Sequence, residues 1–157
     1  MAEVRAWQIT TPEELDRLLA IRITVFVDEQ NVDPNNEIDA SDYAATTRHV
    51  LATVDGVDAG TARLLRKGPG RAYVGRVAVH KWARGSGVGR VVMAKIHELA
   101  LEDAAADGTI RLELSGQEDA IGFYTQLGYA ITTGERYLDE NIWHQDMHID
   151  LRRAEEA

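Results

Sequence analysis

The sequence predicts a single domain of the α/β class, with helices packed on a mixed, mostly antiparallel sheet. Two observations support this prediction. The segments typical of strands and helices follow the order β-α-β-β-β-α-β-α-β-β, and 45% of the 157 residues are hydrophobic. No break in composition divides the chain, and a chain of this length usually builds one core. We therefore expect one domain that spans residues 1–157.

The first elements are a short strand over residues 3–9 and a helix within residues 10–30. The helix start is marked by three residues: Thr11 suits the N-cap, Pro12 suits the first helical position, and Glu14 completes a capping box. Apolar residues then recur at helical spacing. This pattern predicts an amphipathic helix that covers one face of the sheet.

The middle of the chain alternates between turns and strands. Residues 31–47 are polar and rich in turn-forming residues, which predicts a loop or a broken helix that is mobile. Residues 49–67 form two strand-like runs around Asp55-Gly56, a strong hairpin signal. After a glycine-rich turn, residues 71–80 make a third run. We expect these three strands to be adjacent and antiparallel.

The second half begins with a helix over residues 88–106, which ends before Gly108 as a C-terminal glycine predicts. Residues 109–115 alternate as a strand, and residues 118–129 suit a short helix. Two more strands follow, the last over residues 144–151. The second half therefore adds two helices and three strands to the sheet.

Composition excludes several functions. There is no cysteine, so disulfides, thiol nucleophiles and cysteine metal sites are absent. The net charge of −9 disfavours nonspecific binding to nucleic acid and favours a cationic partner such as an amine, although solubility explains the charge as well. No secretory signal and no apolar run of about 18 residues is present. We therefore expect a soluble, cytoplasmic protein with no membrane partner.

A glycine-rich turn lies where a predicted strand leads into a predicted helix. Residues 83–90 read ARGSGVGR, with three glycines in five positions. A helix N-terminus offers unpaired N–H groups to phosphate, and glycine lets the backbone approach it. A Walker A loop needs Gly-Lys-Ser/Thr, and a dinucleotide fingerprint needs glycine where Arg90 stands. The turn therefore predicts a different phosphate ligand, or only a tight connection between strand and helix.

Two motifs resemble those of the GNAT family of N-acetyltransferases. Residues 84–89, RGSGVG, resemble the family's Q/R-x-x-G-x-G/A signature, and residues 120–129, AIGFYTQLGY, resemble its A-x-x-x-Y-x-x-x-G-F/Y helix. With the strand before each motif, the resemblance covers residues 77–129. A finer resemblance, to the ElaA-like branch, lies in VFVDEQ at 25–30, the acidic stretch ending at His49, GRVAV at 75–79 and IWH at 142–144.

The resemblance implies a GNAT fold, in which one three-layer domain has a central sheet splayed at the site for acetyl-CoA. The turn would hold the pyrophosphate, the backbone of Val77 and Val79 would pair with pantetheine amides, and the Val79 N–H would face the thioester carbonyl as an oxyanion donor. The implied acetyl-CoA residues are Val77, Ala78, Val79, Arg84, Gly85, Ser86, Gly87, Val88, Gly89, Arg90, Gln117 and Tyr124. Arg90 could equally be solvated.

Tyr124 occupies the position that the family uses as general acid. A phenol has a pKa of about 10, whereas a thiol like that of cysteine has one of about 8.5, so protonation of the coenzyme thiolate is uphill and needs help from neighbours. Alternatively, Tyr124 only packs against the coenzyme. Phe123 is expected in the core, and Gln117 stands where the family often has Asn, so the chain departs from the family pattern at that contact.

No general base is evident. Histone-type members of the family place a carboxylate on the strand before the turn, where this chain has Tyr73. We weakly favour Glu113 or the acidic cluster with His49, and a water chain acting on a desolvated amine is an alternative. The full set of side-chain candidates is Glu29, Glu37, Asp39, His49, His80, Glu113 and His144.

Acceptor binding is predicted less specifically. Three arginines, Arg22, Arg63 and Arg76, fall in apolar surroundings, where they would pair with acids or orient an acceptor carboxylate. The candidate acceptor-binding residues are Arg22, Phe26, Glu29, Glu37, Asp39, Arg76 and His144.

The last strand carries a His-x-Asp-x-His row at His144, Asp146 and His148. Alternate residues lie roughly 6.6–6.8 Å apart, too far for easy joint ligation, so we expect a solvent-facing polar row and no metal. The opposite face is expected to join the core through Trp143, Met147, Ile149 and Leu151.

The function that the resemblance implies is acetyl-CoA-dependent transfer of an acetyl group to a primary amine, by direct attack in a ternary complex. The acceptor is not specified. A noncatalytic acyl-CoA-binding or sensing module is the main alternative, and a nucleotide-binding domain is a third. Dimerisation through an exposed sheet edge is a family-level expectation.

Overall fold

A computed structural model describes residues 2–154. Within this range, seven strands form one sheet in the order β1-β2-β3-β4-β5-β7-β6. The strands are β1 Val4–Gln8, β2 Arg48–Val54, β3 Val57–Gly68, β4 Arg71–Val79, β5 Thr109–Gln117, β6 Ala130–Asp139 and β7 Ile142–Arg152. The predicted order of elements is confirmed.

The described residues also form four α-helices, which are α1 Pro12–Arg22, α2 Pro34–Glu37, α3 Val88–Glu102 and α4 Ile121–Gln126. Helix α1 begins with the predicted capping box and continues as a π-helical segment, Ile23–Glu29. Short 3₁₀ turns lie at Ala40–Tyr43, Lys81–Ala83 and Glu118–Ala120. Within residues 2–154, no helix is both long and apolar enough to cross a membrane.

The two faces of the sheet bury separate clusters, which makes three layers. Val50 and Leu51 are consecutive residues of β2 and therefore point to opposite faces. Val50 joins the cluster that contains the apolar face of α3, whereas Leu51 joins the cluster that contains α1. The sheet is therefore covered on both sides, and the predicted fold class is confirmed.

One strand pair is parallel, and it opens part of the way along. Strand β4 pairs with β5 from Arg71↔Arg111 to Val74↔Leu114, while the other recorded pairs are antiparallel. Beyond Val74 the ladder stops, although β4 continues to Val79 and β5 to Gln117. The two strands therefore splay, and a cleft opens between them.

Several predicted boundaries shift. Of the two alternatives predicted for residues 31–47, the broken helix is the one found, since they contain α2 and a 3₁₀ turn. The helix predicted over 88–106 ends at Glu102, because the Asp103 N–H turns back to the Ala100 carbonyl oxygen at 2.9 Å. Gly108, with φ +85°, shapes the turn that follows instead of capping the helix.

The predicted faces of the last strand are wrong at its first residues. Met147, Ile149 and Leu151 face the core as predicted. Trp143, however, is 44% exposed. It pairs with Leu138 of the edge strand β6, and the Arg136 guanidinium lies over its ring, 4.4 Å from the centroid. His144 is only 8% exposed and lines the cleft rather than facing solvent.

Candidate active site

A β-bulge shapes strand β4 where it leaves β5. Arg76 and Val77 together oppose a single residue, Ala62, because Thr61 pairs with Ala78 and Arg63 pairs with Gly75. Arg76 has φ +54°, a left-handed conformation that non-glycine residues rarely adopt. Bulges bend a strand and re-aim its side chains. This bulge lies directly after the last β4–β5 pair, so the bend and the opening of the cleft coincide.

The end of β4 presents a free backbone group to the opening. The His80 N–H donates to the Ala59 carbonyl oxygen at 2.8 Å, which makes Val79 and Gly60 a pair without mutual hydrogen bonds. The Val79 N–H therefore points away from β3, to the side that β5 has left. This is the orientation that an oxyanion donor in the cleft requires.

The glycine-rich turn leads from β4 into helix α3. Gly85 and Gly87 have φ values of +85° and +88°, which glycine adopts without strain. Gly87 is the N-cap of α3 and supplies no side-chain cap. Among residues 2–154, no hydrogen-bond acceptor is assigned to the N–H groups of Val88, Gly89 and Arg90. The helix therefore begins with free amides and its positive dipole end.

Gly89 has a packing role as well. A Cβ atom at this position would lie 3.1 Å from Cζ of Phe123. The absence of a side chain thus lets the first turn of α3 approach α4, and Phe123 both packs against the core and lines the cleft. A Cβ atom added at Gly85 or Gly87, by contrast, would have no other atom within 4 Å, so the turn borders open space. A turn of this kind fits a diphosphate.

A cleft of about 980 Å³ runs between the splayed strands and past the start of α3. It collects nearly all the residues predicted to bind acetyl-CoA. Ser86 is the exception, since its hydroxyl is turned to the Ala83 carbonyl oxygen. The predicted residues that line the cleft are Val77, Ala78, Val79, Arg84, Gly85, Gly87, Val88, Gly89, Arg90, Gln117 and Tyr124.

Tyr124 lies at the inner wall of this cleft. It is 7% exposed, and its ring makes edge contacts with Phe123 and Tyr129. No hydrogen-bond partner among the described residues is assigned to its hydroxyl. Burial raises the pKa of the Tyr124 phenol. The hydroxyl is therefore neutral at physiological pH and can donate a hydrogen bond into the cleft.

The polar side chains near the turn are held by one another. Arg84 donates to the Val79 carbonyl oxygen at 3.0 Å and to Glu29 at 2.6 Å. Arg90 donates to the Gln126 side chain at 3.2 Å, and the Gln117 amide donates to Gln30 at 2.8 Å. Both arginines line the cleft, so their charges border the region where the glycine turn can accept an anion.

The arginines of the apolar segments pair with acids. Arg22 is fully buried and donates to Glu37 at 3.0 Å and to Asp42 at 2.6 Å. Arg63 donates to Asp39 at 2.7 Å and to Asp42 at 2.9 Å. Of the two roles predicted for these arginines, pairing with acids therefore describes Arg22 and Arg63. The network fastens the chain between α2 and β2 to the sheet.

Arg76 connects this network to the bulge. Its guanidinium lies 3.2 Å from the Glu37 carboxylate, and it donates to the backbone oxygens of Asn36 and Glu37, both at 3.2 Å. Burial raises the pKa of Glu37, against the two guanidinium groups of Arg22 and Arg76 that lower it. The left-handed bulge residue thus anchors one wall of the cleft.

The candidate bases separate into two groups. Glu37 and His144 line the cleft, as does Phe26 of the predicted acceptor-binding set. Glu113 lies elsewhere, half exposed and paired with Arg71 at 2.8 Å. His49 is buried in the ion network with Nε2 3.1 Å from the Asp42 carbonyl oxygen, and burial lowers its pKa. The other predicted residues outside the cleft lining are Arg22, Glu29, Asp39 and His80.

Sequence analysis missed a group of polar side chains at the cleft. Tyr73 and Ser115 line the cleft, and the Tyr137 hydroxyl bonds to Ser115 and donates to Asp146 at 2.5 Å. Tyr73 was noted only as the replacement of a carboxylate. The other residues are far apart in sequence and form no motif, so only strand pairing could bring them together.

In the part of the chain from residue 2 to residue 154, no group of three or more His, Asp or Glu side chains is arranged to hold a metal ion. The three side chains of the predicted polar row have separate partners. His148 bonds to Thr132, Asp146 to Tyr137, and His144 to a backbone oxygen.

The fold and the cleft define an acyltransferase-like α/β protein, and comparison of sequences identifies the family. The profile of the acetyltransferase (GNAT) domain matches residues 18–151. The chain belongs to the GNAT acetyltransferase family, as the two motifs predicted.

Similar proteins place the chain near ElaA. The protein ElaA of Escherichia coli is 31% identical over 90% of each chain, and its crystal structure superimposes with a TM-score of 0.79 over 94% of this chain and 99% of that one. An uncharacterized N-acetyltransferase of Bacillus subtilis, YjcF, is 34% identical over 88% of this chain and 94% of its own. An acyl-CoA N-acyltransferase from Pseudomonas aeruginosa is 30% identical, covers 94% of this chain and 99% of its own, and has a TM-score of 0.78.

Proposed function

We propose that this protein transfers an acetyl group from acetyl-CoA to a primary amine by direct attack in a ternary complex. One observation carries the proposal: the uncapped N-terminus of α3, opened by Gly85 and Gly87, borders the cleft between β4 and β5. Free amides and a helix dipole suit a diphosphate, and the splayed strand edge suits an extended amide-bearing chain. The absence of cysteine agrees with transfer that forms no thioester on the protein.

Three of the chemical requirements have a candidate group in the cleft. The backbone N–H of Val79 would stabilise negative charge on the carbonyl oxygen during attack. The Tyr124 hydroxyl would protonate the leaving sulfur, and its raised pKa keeps the phenol protonated until then. Arg84 and Arg90 would supplement the turn in binding phosphate. The remaining task, removal of a proton from the amine, requires a base.

Calorimetry with coenzyme A, ATP and NAD tests the first half of the proposal. We expect coenzyme A to bind and the nucleotides to bind more weakly. Stronger binding of ATP or NAD would contradict the assignment of the turn. The second half is tested by incubating the protein with acetyl-CoA and a mixed panel of amines, then searching for acetylated products by mass spectrometry. Binding of coenzyme A without any product would instead indicate an acyl-CoA-binding module.

Two further expectations concern the location of the protein and its oligomeric state. We propose a cytoplasmic location, where acetyl-CoA is available, and fractionation of cells checks it. A homodimer formed through the exposed edge of the sheet stays a prediction, which sedimentation of the purified protein checks.

A further inference from the structure

We infer that His144 is the base that takes a proton from the ammonium group of the acceptor, and that Tyr137 is a positioning residue that holds the His144 ring. The inference rests on the proposed function, because it assigns a proton transfer that acetylation of an amine requires. Nothing in the sequence motifs distinguishes His144 from the other candidate bases. The contacts of its two ring nitrogens do.

The backbone sets the tautomer of His144. Its Nδ1 lies 2.7 Å from the carbonyl oxygen of Ile142. A carbonyl oxygen can only accept, so Nδ1 carries the hydrogen, and in the neutral ring Nε2 keeps its lone pair. Among residues 2–154, no hydrogen-bond partner is assigned to Nε2. The second nitrogen is therefore available to accept a proton.

The position of His144 places this nitrogen at the reaction cleft. His144 is 8% exposed and lines the cleft. It pairs in register with Gln117, the last residue of β5, so it lies one strand away from the gap that faces Val79. A base at this point shares the cleft with both the oxyanion donor and Tyr124.

Tyr137 fixes the plane of the imidazole. Its ring stacks on that of His144, with centroids 5.9 Å apart and an interplanar angle of 18°. The Tyr137 hydroxyl is held in turn, because it donates to Asp146 at 2.5 Å and contacts the Ser115 hydroxyl. Burial and the neighbouring Asp146 carboxylate raise the pKa of Tyr137 to about 12, so the phenol stays neutral. Tyr137 can therefore stay neutral and stacked on the His144 ring over a wide pH range.

The other candidates in the region are already committed to partners. Glu37 accepts a hydrogen bond from Arg22 and lies 3.2 Å from Arg76, so protonation would leave the buried Arg22 and the partly buried Arg76 without that counter-ion. Among the described residues, no charged side chain is paired with His144, whose one assigned side-chain hydrogen bond is to the Ile142 carbonyl oxygen. Tyr137 stacks on the His144 ring. The other charged or titratable residues that line the same cleft are Glu37, Tyr73, Arg76, Arg84, Arg90, Asp119, Tyr124, Asp139 and Glu140.

The proton balance of the transfer is complete with these groups. The acceptor enters as an ammonium ion and loses one proton to His144 Nε2. The neutral nitrogen forms the new C–N bond with the acetyl carbon, and the C–S bond breaks. Tyr124 gives its proton to the departing thiolate and recovers one from the nitrogen as the amide forms. His144 releases its proton to solvent, so one proton is produced for each amide.

The tautomer can be measured without any acceptor. Long-range proton–nitrogen NMR of the whole protein labelled with ¹⁵N-histidine distinguishes the two neutral forms of each ring. We expect His144, assigned by its loss in His144→Gln, to carry its hydrogen on Nδ1 near neutral pH. A neutral ring protonated on Nε2 would overturn the inference, because that nitrogen could not then accept a proton.

Kinetics separate the base from a structural role. We compare propylamine, an ammonium ion at neutral pH, with methoxyamine, which is similar in size and already neutral. In His144→Gln we expect kcat/KM for the ammonium substrate to fall by about 100-fold or more, and for methoxyamine to fall much less. In His144→Ala, added imidazole should restore part of the lost rate. Calorimetry with coenzyme A should give unchanged affinity in both variants.

Tyr137→Phe keeps the ring but loses both hydroxyl contacts, so we expect a lower kcat for propylamine with KM nearly unchanged. Tyr43→Phe, at a position 68% exposed, is the matched control and should match the wild type. If His144→Gln acetylates both amines as fast as the wild type, the inference fails and the proposed function stands. If the wild type acetylates neither these two amines nor any member of the amine panel, the proposed function fails. The assignment of His144 as the base then fails as well.

Discussion

Arg22 Nη1 donates a hydrogen bond to Asp42 Oδ1 at 2.6 Å, and the two side chains are 1% and 0% exposed. One residue ends helix α1 and the other lies in the 3₁₀ turn before β2. The pair therefore ties the helical layer to the segment that forms one wall of the cleft. Because both charges are removed from water, each depends on the other for compensation.

Asp42→Ala should destabilise the protein strongly. It leaves Arg22 and Arg63 with fewer acceptors in a buried site, and breaking a buried pair typically costs about 3–5 kcal/mol. The free energy of unfolding in urea measures the loss. Asp58→Ala is the control, since it breaks a partly exposed pair with Arg17 and should cost no more than about 1 kcal/mol. Equal losses of unfolding free energy in the two variants would show that the buried pair stabilises the protein no more than the partly exposed one.

The same aspartate should contribute to acid sensitivity. Burial alone would raise the pKa of Asp42, but hydrogen bonds from Arg22 and from the Asp39 N–H outweigh it and lower the pKa from 3.8 to about 2. A carboxyl group with a depressed folded pKa stabilises the protein above its unfolded pKa and loses that contribution as the pH falls through its folded pKa.

We therefore expect Asp42 to contribute about 2 kcal/mol above pH ~4 and progressively less down to pH ~2. The difference in unfolding free energy between the wild type and Asp42→Asn, followed from neutral pH to acid, isolates this group from the other carboxyls. A difference that stays constant over the whole range would show that the pKa of Asp42 is not depressed.

Gly87→Ala should weaken the binding of coenzyme A. No atom of the described residues other than the chain neighbours of Gly87 lies within 4 Å of the added Cβ. The expected loss of affinity therefore comes from the backbone at φ +88°, where an L residue is strained by about 1 kcal/mol. Calorimetry measures the affinity. Gly56→Ala is a matched control, because Gly56 has φ +81° and equally open surroundings but lies in the β2–β3 turn. Gly56→Ala should lower the free energy of unfolding by a similar amount and leave the affinity for coenzyme A unchanged.

Two variants of Arg76 test whether the backbone of the bulge is strained. Both Arg76→Ala and Arg76→Gly remove the contacts to Asn36 and Glu37, but only glycine relieves the conformation at φ +54°. We expect the glycine variant to be more stable than the alanine variant by about 1 kcal/mol. Thermal or urea unfolding of the two proteins gives this difference directly. Equal stability would mean that the bulge relaxes when its side chain is removed.

Tyr124→Phe should lower turnover while coenzyme A still binds, because the ring that packs in the cleft is retained and only the proton donor is lost. General acid catalysis is typically worth about 100-fold or more, so kcat with an active amine should fall by this order. Full turnover across the pH range would show that Tyr124 serves only for packing.

Local patterns were predicted well from the sequence. The capping box at Thr11, the hairpin around Asp55-Gly56 and the glycine turn all depend on residues close together in the chain, so their physics is visible in the sequence. The same holds for Tyr124, whose helix motif is local. These features defined the fold class and the family resemblance.

The candidate base could not be selected in this way. Glu113 and His144 belong to neighbouring strands, yet one lies in a half-exposed pair with Arg71 and the other lines the cleft. The surroundings of each side chain depend on strand register and on which elements cover each face of the sheet. Trp143 was assigned to the wrong environment for the same reason, since period-two spacing defines the two faces of a strand but not what covers them.

The sequence by itself determined the order of elements, the free amides at the start of α3 and the absence of cysteine, because these follow from residue types and near neighbours. Tertiary structure alone decided that Arg22, Glu37, Asp42 and Arg63 neutralise one another, and that a tyrosine from β6 stacks on a histidine from β7. Such contacts join residues distant in the chain, and their geometry exists only once the sheet has assembled and excluded water around them.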